Sequence, residues 1–377
     1  MKYKFEDIIF NITEKKKPVE EDKYNYIGLE HLESGNLFIS KWGSDTAPEG
    51  EKIVMKKGDV LFGKRRAYQK KVAISPIDGI FSAHGMVLRP KEDVICKEFL
   101  PFFISSETFL NEAIRISVGG LSPTVNWKDI RELEFDLPSL AEQKVLAEKL
   151  WAAYEVKQSY LKMIAATEEM VKAQFVEMFG TPENNHKDYP IIIIGEKVKS
   201  INYGTSKPAT DNGKYVYLRM NNITYDGKLD LSEVKRIDLS PEEDESAFVH
   251  KGDLMFNRTN TKEFVGKTTV FNLDEPMVVA GYIIRIRFND DFSPEYVSGY
   301  LNSIYGKALL RKMAKGAVHQ ANINAQEFQR IRILDVPKQE QDKFDTILHQ
   351  ADKSISELRR SVDAIDKVIK SLINENL

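Results

Sequence analysis

The apolar positions of the chain follow two kinds of pattern. From about Lys338 to the C-terminus they form one regular stripe: Leu348, Ala351, Ile355, Leu358, Val362, Ile365, Ile369 and Leu372. The spacing alternates between three and four, as the a/d seam of a coiled coil requires. A second stretch, from Glu142 to Phe179, contains no proline or glycine. Its seam runs through Leu146, Leu150, Ala153, Tyr160, Ile164 and Val171, interrupted at Lys157 and Thr167. Ser139 and Glu142 have the spacing of a capping box, and Gly180-Thr181-Pro182 is a stop signal. A helix of roughly 38 residues would extend ~57 Å. Elsewhere the apolar runs are short and bounded by turn residues such as Asp78-Gly79 and Asp226-Gly227, which predicts strands. Ile53–Met55, Val60–Phe62, Gly85–Leu88, Ile191–Ile194, Lys267–Phe271 and Tyr282–Ile286 are such runs.

These patterns occur twice. Lys57-Gly58-Asp59-Val60-Leu61-Phe62 returns as Lys251-Gly252-Asp253-Leu254-Met255-Phe256. Tyr24-Asn25-Tyr26 is answered by Tyr215-Val216-Tyr217, Lys17-Pro18 by Lys207-Pro208, Val125-Asn126 by Ile323-Asn324, and Pro138 by Pro337. The matches keep their order while the offset drifts slowly upward, which points to a duplication with small loop insertions in the second copy. In each copy a strand-rich region leads to a short helical stretch, about residues 97–116 and 294–314, then to a proline and a long helix.

The expected fold is therefore α+β: two tandem α/β domains, each followed by a long helix. A narrow stripe on so long a helix needs a partner, and the equivalent helix of the other copy is at hand. The two helices are expected to pair as an antiparallel coiled coil with pseudo-two-fold symmetry. Pairing falls to Leu146, Leu150, Tyr160 and Ile164 on one side, and to Leu348, Ile355, Leu358, Val362, Ile365 and Ile369 on the other. The expected divisions are residues 1–138, 139–180, 181–337 and 338–377.

Composition narrows the function. The chain is 42% hydrophobic and 29% charged, as a soluble folded protein is. The N-terminus shows no apolar leader and no run is long enough to cross a bilayer, so a cytoplasmic location is expected. The single Cys96 excludes an internal disulfide and any multi-cysteine zinc site. No Pro-Pro dipeptide occurs, so the tetrapeptide with which amino-methyltransferases hold a flipped base is missing. Gly266-Lys267-Thr268 resembles the end of a phosphate loop, but Thr261 stands where that loop requires glycine. The histidines form no metal-ligand pair. No catalytic residue, metal or cofactor is assigned to this chain.

The net charge of −3 does not favour nucleic acid, yet the bases are clustered. After the first Lys-Gly-Asp strand come Lys64, Arg65, Arg66, Tyr68, Lys70 and Lys71; after the second come Arg258, Asn260 and Lys262. Arg and Lys pair with guanine or phosphate, and Asn and Gln with adenine. Solvated hairpin tips carry such residues too, but here the position repeats while the residues differ, as expected if each copy reads different DNA. A Gly-led polar loop before the closing strand adds Ser122 and Thr124 in the first copy, and His319, Gln320 and Asn322 in the second. Tyr203-Gly204-Thr205-Ser206-Lys207 forms a third candidate loop, with Thr205, Ser206 and Lys207 as its candidate contacts.

The Lys-Gly-Asp strand, the Gly-led loop, the helix start Leu137-Pro138-Ser139-Leu140-Ala141-Glu142-Gln143 with its echo Val336-Pro337-Lys338-Gln339-Glu340-Gln341, and Tyr203-Gly204-Thr205-Ser206 resemble type I restriction-modification specificity subunits. The resemblance covers essentially the whole chain. It implies two target recognition domains and two spacer helices in a non-catalytic DNA-binding subunit with a split, asymmetric target. It also implies two methyltransferase subunits that use S-adenosylmethionine to modify adenine, and optional restriction subunits that use ATP and Mg. The second copy departs in Ala317-Val318-His319-Gln320, which replaces Gly120-Leu121-Ser122-Pro123, and lacks the Ser-x-x-Glu cap. The recognition subunit of a related two-component, type IIB-like enzyme would read DNA in the same way. The missing tetrapeptide argues against a chain that both reads and methylates; a coiled-coil adaptor without a DNA role is a third class, which gel shifts on random-sequence DNA with a methyltransferase partner would separate.

Overall fold

A computed structural model describes residues 1–317 and 320–377. The chain divides into two compact units, Met1–Lys162 with Leu358–Leu377, and Met163–Glu357. Two helices, Leu140–Phe179 and Lys338–Asn374, contribute to both.

In the first unit, one antiparallel sheet runs in the order Ile9–Ile12, Met86–Pro90, Val60–Phe62, Val72–Ile74. A second runs Lys15–Lys16, Lys52–Met55, Gly79–Phe81, Tyr26–Ile27, its last pair parallel. The second unit repeats this plan in the same register. Val60 pairs with Leu88 and Ile74, and Leu254 pairs with Ile286 and Val270. The parallel pair Tyr26–Ile80 returns as Tyr217–Val278. The edge strands differ: Lys15–Lys16 borders one sheet, whereas Lys235–Ile237 borders the opposite edge of its counterpart.

The Lys-Gly-Asp motif has a structural cause in both copies. Gly58 and Gly252 turn with φ of +91° and +89°, the region that favours glycine. The buried Asp59 then accepts a hydrogen bond from the Lys56 backbone N–H and a two-pronged one from Arg89, both prongs 2.8 Å. Asp253 does the same with the His250 backbone N–H and with Arg287, at 2.7 and 3.2 Å. Each carboxylate raises the pKa of its arginine, and each pair ties the turn to the neighbouring strand.

The helical stretch of each copy is two helices rather than one: Leu100–Ser105 with Glu107–Arg115, and Pro294–Asn302 with Ile304–Met313. The break falls at Ser106 and Ser303, which take an extended backbone. Each side chain accepts a free N–H at the start of the next helix, from Phe109 and from Gly306.

Within each unit the long helices pack against one another in antiparallel sense. In the first, Leu146, Leu150 and Tyr154 share a core with Ile369, Leu372, Ile373 and Leu377. In the second, Phe175 and Phe179 meet Phe344 edge to face, with ring centres 5.1 and 5.8 Å apart. Ile164, Ile355 and Val362 are buried, while Tyr160, Leu348, Leu358, Ile365 and Ile369 are half-buried. Lys157, which interrupts the seam in sequence, covers the pair with its stem and holds Asp366 at 2.6 Å. Both helices start on a buried glutamine. Gln143 accepts from the Cys96 N–H (2.9 Å) and donates to the carbonyls of Val94 and Pro138; Gln341 accepts from the Ser293 N–H (2.7 Å) and donates to the Val336 carbonyl.

Candidate nucleic-acid interface

In the first unit two predicted loops meet. Beyond the strand Val60–Phe62, the Lys64 carbonyl accepts from the Val125 N–H and the Arg66 N–H donates to the Pro123 carbonyl (2.7 Å), so the basic loop lies along residues 122–125. Ser122 Oγ accepts from Arg65 (3.4 Å) and from Arg66 (3.3 Å), and Arg65 also reaches His84 Nε2 at 3.3 Å. Burial lowers the His84 pKa and Arg65 and Lys64 lower it further, which keeps the ring neutral beside the guanidinium. Arg66 and Lys70 adopt left-handed backbone angles, φ 56° and 51°, bracketing a short turn that leaves Tyr68 exposed. Thr124 and Lys70 are half-buried. Burial pushes the Lys64 pKa down, and Lys71 Nζ donates to the Leu29 carbonyl, so these two lysines are turned toward protein.

In the second unit three predicted loops converge. The Arg258 N–H donates to Tyr282 O, and Ile323 N–H to Arg258 O, the counterpart of the Lys64–Val125 contact. Thr259–Asn260, expected as loop, is a short strand paired with Gln320–Asn322, and Asn322 donates to Thr259 Oγ1 at 2.8 Å. The third loop joins through Gly204, where any Cβ would meet the Val279 carbonyl at 2.1 Å; only glycine fits. Thr205 N–H then donates to Val279 O, and Gly281 N–H to Thr205 O. Tyr203, just before, lays its ring under the Arg258 guanidinium, 4.8 Å from carbon to ring centre.

The predicted residues differ in what they offer a ligand. Ser206, Lys262 and Gln320 are exposed and Arg258 is half-buried. Thr205 is buried and its hydroxyl accepts from the Lys207 N–H; Lys207 Nζ pairs with Glu243. The Asn260 amide is engaged within its loop, donating to Asn257 and accepting from Thr261 N–H. His319 lies outside the described residues. The pairings of Tyr203 with Arg258, Ser122 with Arg65 and His84 with Arg65 were not legible in the sequence, because nothing announces contacts across 55, 57 and 19 residues.

Among the described residues no group of three or more His, Cys, Asp and Glu could hold a metal ion, and no helix is long and apolar enough to cross a membrane.

The model for the type I restriction modification DNA specificity domain matches residues 2–159 and again 188–364. The EcoKI type I restriction enzyme specificity subunit of Escherichia coli K12 is 25% identical over 324 residues, 80% of this chain and 68% of that protein. A putative MjaX type I specificity subunit of Methanocaldococcus jannaschii is 24% identical over 174 residues, 45% of this chain and 41% of its own. Two solved structures share the fold. One, from work on assembly and conformational transition of a type I R-M system, covers all of this chain and 97% of its own at TM-score 0.56 and 19% identity. The other, the S subunit of a type I system from M. genitalium, covers 99% and 94% at TM-score 0.54 and 12% identity.

Proposed function

Since the chain belongs to the type I restriction-modification DNA specificity family, we propose that its two α/β domains each read one half of a bipartite, asymmetric duplex site. A specificity subunit is a non-catalytic DNA-recognition chain that works with other restriction-modification subunits. The observation that carries the finer reading is the paired loops. They leave sheets of identical register in both units, yet present Arg65, Arg66 and Ser122 in one and Arg258, Gln320 and Asn322 in the other. A shared scaffold with different tips suits two different half-sites. In this reading Tyr68, Lys70, Lys262, Ser206 and Lys207 contact backbone or neighbouring bases.

The proposed partners are two methyltransferase subunits that use S-adenosylmethionine to modify adenine, with restriction subunits using ATP and Mg as optional additions. The chain itself holds no cofactor, and the assembly works in the cytoplasm. Deleting the gene and sequencing genomic adenine methylation tests this: one split motif is expected to disappear. An unchanged set of methylated motifs contradicts it.

A further inference from the structure

We infer that Tyr203 is a specificity-determining positioning residue: its ring fixes the plane of the Arg258 guanidinium so that the arginine selects guanine at one base pair of the second half-site. This rests on the assignment of Arg258 as a base reader. Arginine recognises guanine by presenting two N–H groups in one plane to O6 and N7. A guanidinium free to rotate would serve a phosphate as well.

Two contacts and the burial of one atom restrict Arg258. The Tyr203 ring lies 4.8 Å beneath it, its Nη1 donates to the Gly281 carbonyl at 3.4 Å, and its Nε is buried without a hydrogen-bond partner. With Nε turned inward, the terminal Nη1–Nη2 edge is the part left for a ligand. The platform is itself anchored. Gly204 is wedged against Val279 and Ala280, and the Tyr203 hydroxyl accepts from the Ala325 N–H at 3.2 Å. Tyr203 is nonetheless 44% exposed, and Tyr282, whose carbonyl accepts from the Arg258 N–H, is 52% exposed. The guanidinium thus stands at an open aromatic surface, where a cation–π contact holds it without closing off its edge. In the first unit Arg65 and Arg66 share the Ser122 hydroxyl instead.

The test uses the assembly purified from the host around the full chain, with Arg258→Ala, Tyr203→Ala, Tyr203→Phe and the double alanine variant. Each selects duplexes from a random-sequence pool, and the preference at every base pair is counted. Arg258→Ala should cost roughly 5- to 150-fold of guanine preference at one base pair. Tyr203→Ala should cost roughly 3- to 30-fold at that same base pair. Tyr203→Phe keeps the ring and its fixation through Gly204, giving up only the 3.2 Å hydroxyl anchor, and should retain most of the preference. The double variant should lose no more than Arg258→Ala alone. If Arg258→Ala removes the preference while Tyr203→Ala leaves it intact, the positioning role is wrong and the base-reading role survives. If Arg258→Ala leaves all preferences unchanged, the base-reading role fails and this inference with it. Equal loss in Tyr203→Phe and Tyr203→Ala would also overturn it, since the hydroxyl rather than the ring would then matter.

Discussion

Asp345 sits on the second long helix with its carboxylate accepting from Ser293 Oγ at 2.9 and 3.0 Å. Burial raises its pKa to about 6, only partly opposed by the Ser293 hydrogen bond. A carboxyl whose folded value lies above its unfolded one favours the fold when protonated. That contribution is complete below about pH 4 and is lost as pH rises through 6. Asp345→Asn removes the buried charge while keeping an acceptor for Ser293. It should raise the urea midpoint at pH 8 by an amount equivalent to about 1 kcal/mol, discounted for the group's partial exposure, and the gain should vanish near pH 4. Equal midpoints at pH 8 would show that Asp345 carries no penalty. Nothing in the sequence marks this residue, because its environment is made by Ser293 and Glu295, 52 and 50 positions away. Asp59 and Asp253 are different: they stand in the repeated motif, and the duplication alone singled them out, although the partners Arg89 and Arg287 emerge only from strand pairing.

At the scale of elements, the long helices are the most legible part of the chain. Leu140–Phe179 begins where the Ser139–Glu142 box places it: the Ser139 N–H donates to Glu142 at 2.8 Å, and the Glu142 N–H to Ser139 Oγ at 3.4 Å. Ser139→Ala should cost about 1 kcal/mol. The helix breaks at Ser106 and Ser303 were not legible, because apolar residues continue on both sides and a serine caps only where the backbone has already turned. Nor does periodicity reveal the buried glutamines, since a polar residue in the first turn reads as solvated. Gln143→Leu should strand the Cys96 N–H and the Val94 and Pro138 carbonyls in the core, at a cost of roughly 2–4 kcal/mol. That is more than the loss of the cap, and urea unfolding of both variants ranks them. A smaller loss for Gln143→Leu would mean that water replaces the amide.

For the whole molecule, duplication was legible from an ordered series of weak matches, and identical strand register explains why it survived sequence divergence: a one-residue slip would turn a buried strand face outward. The net charge of −3 pointed away from nucleic acid because it averages over loops that carry the bases and segments that carry the acids. We propose that the long helices set the non-specific gap between half-sites. One heptad inserted in each, between Lys162 and Met163 and between Glu357 and Leu358, keeps the seam and adds ~10.5 Å, equivalent to about three base pairs. The methylated motif should keep both half-sites and gain about three base pairs of gap. Activity should fall, because the half-sites are also rotated by roughly 100°. An active variant with the original gap would remove the helices as the spacer.

Independence of the two domains is tested most directly by one measurement: genome-wide mapping of methylated motifs in cells carrying Arg66→Ala in one strain and Arg258→Ala in another. Each variant should blur a single half of the motif, a different half in each strain, and leave the other half intact. Relaxation of both halves by either substitution, or of the same half by both, would contradict a chain that reads two half-sites with two copies of one fold.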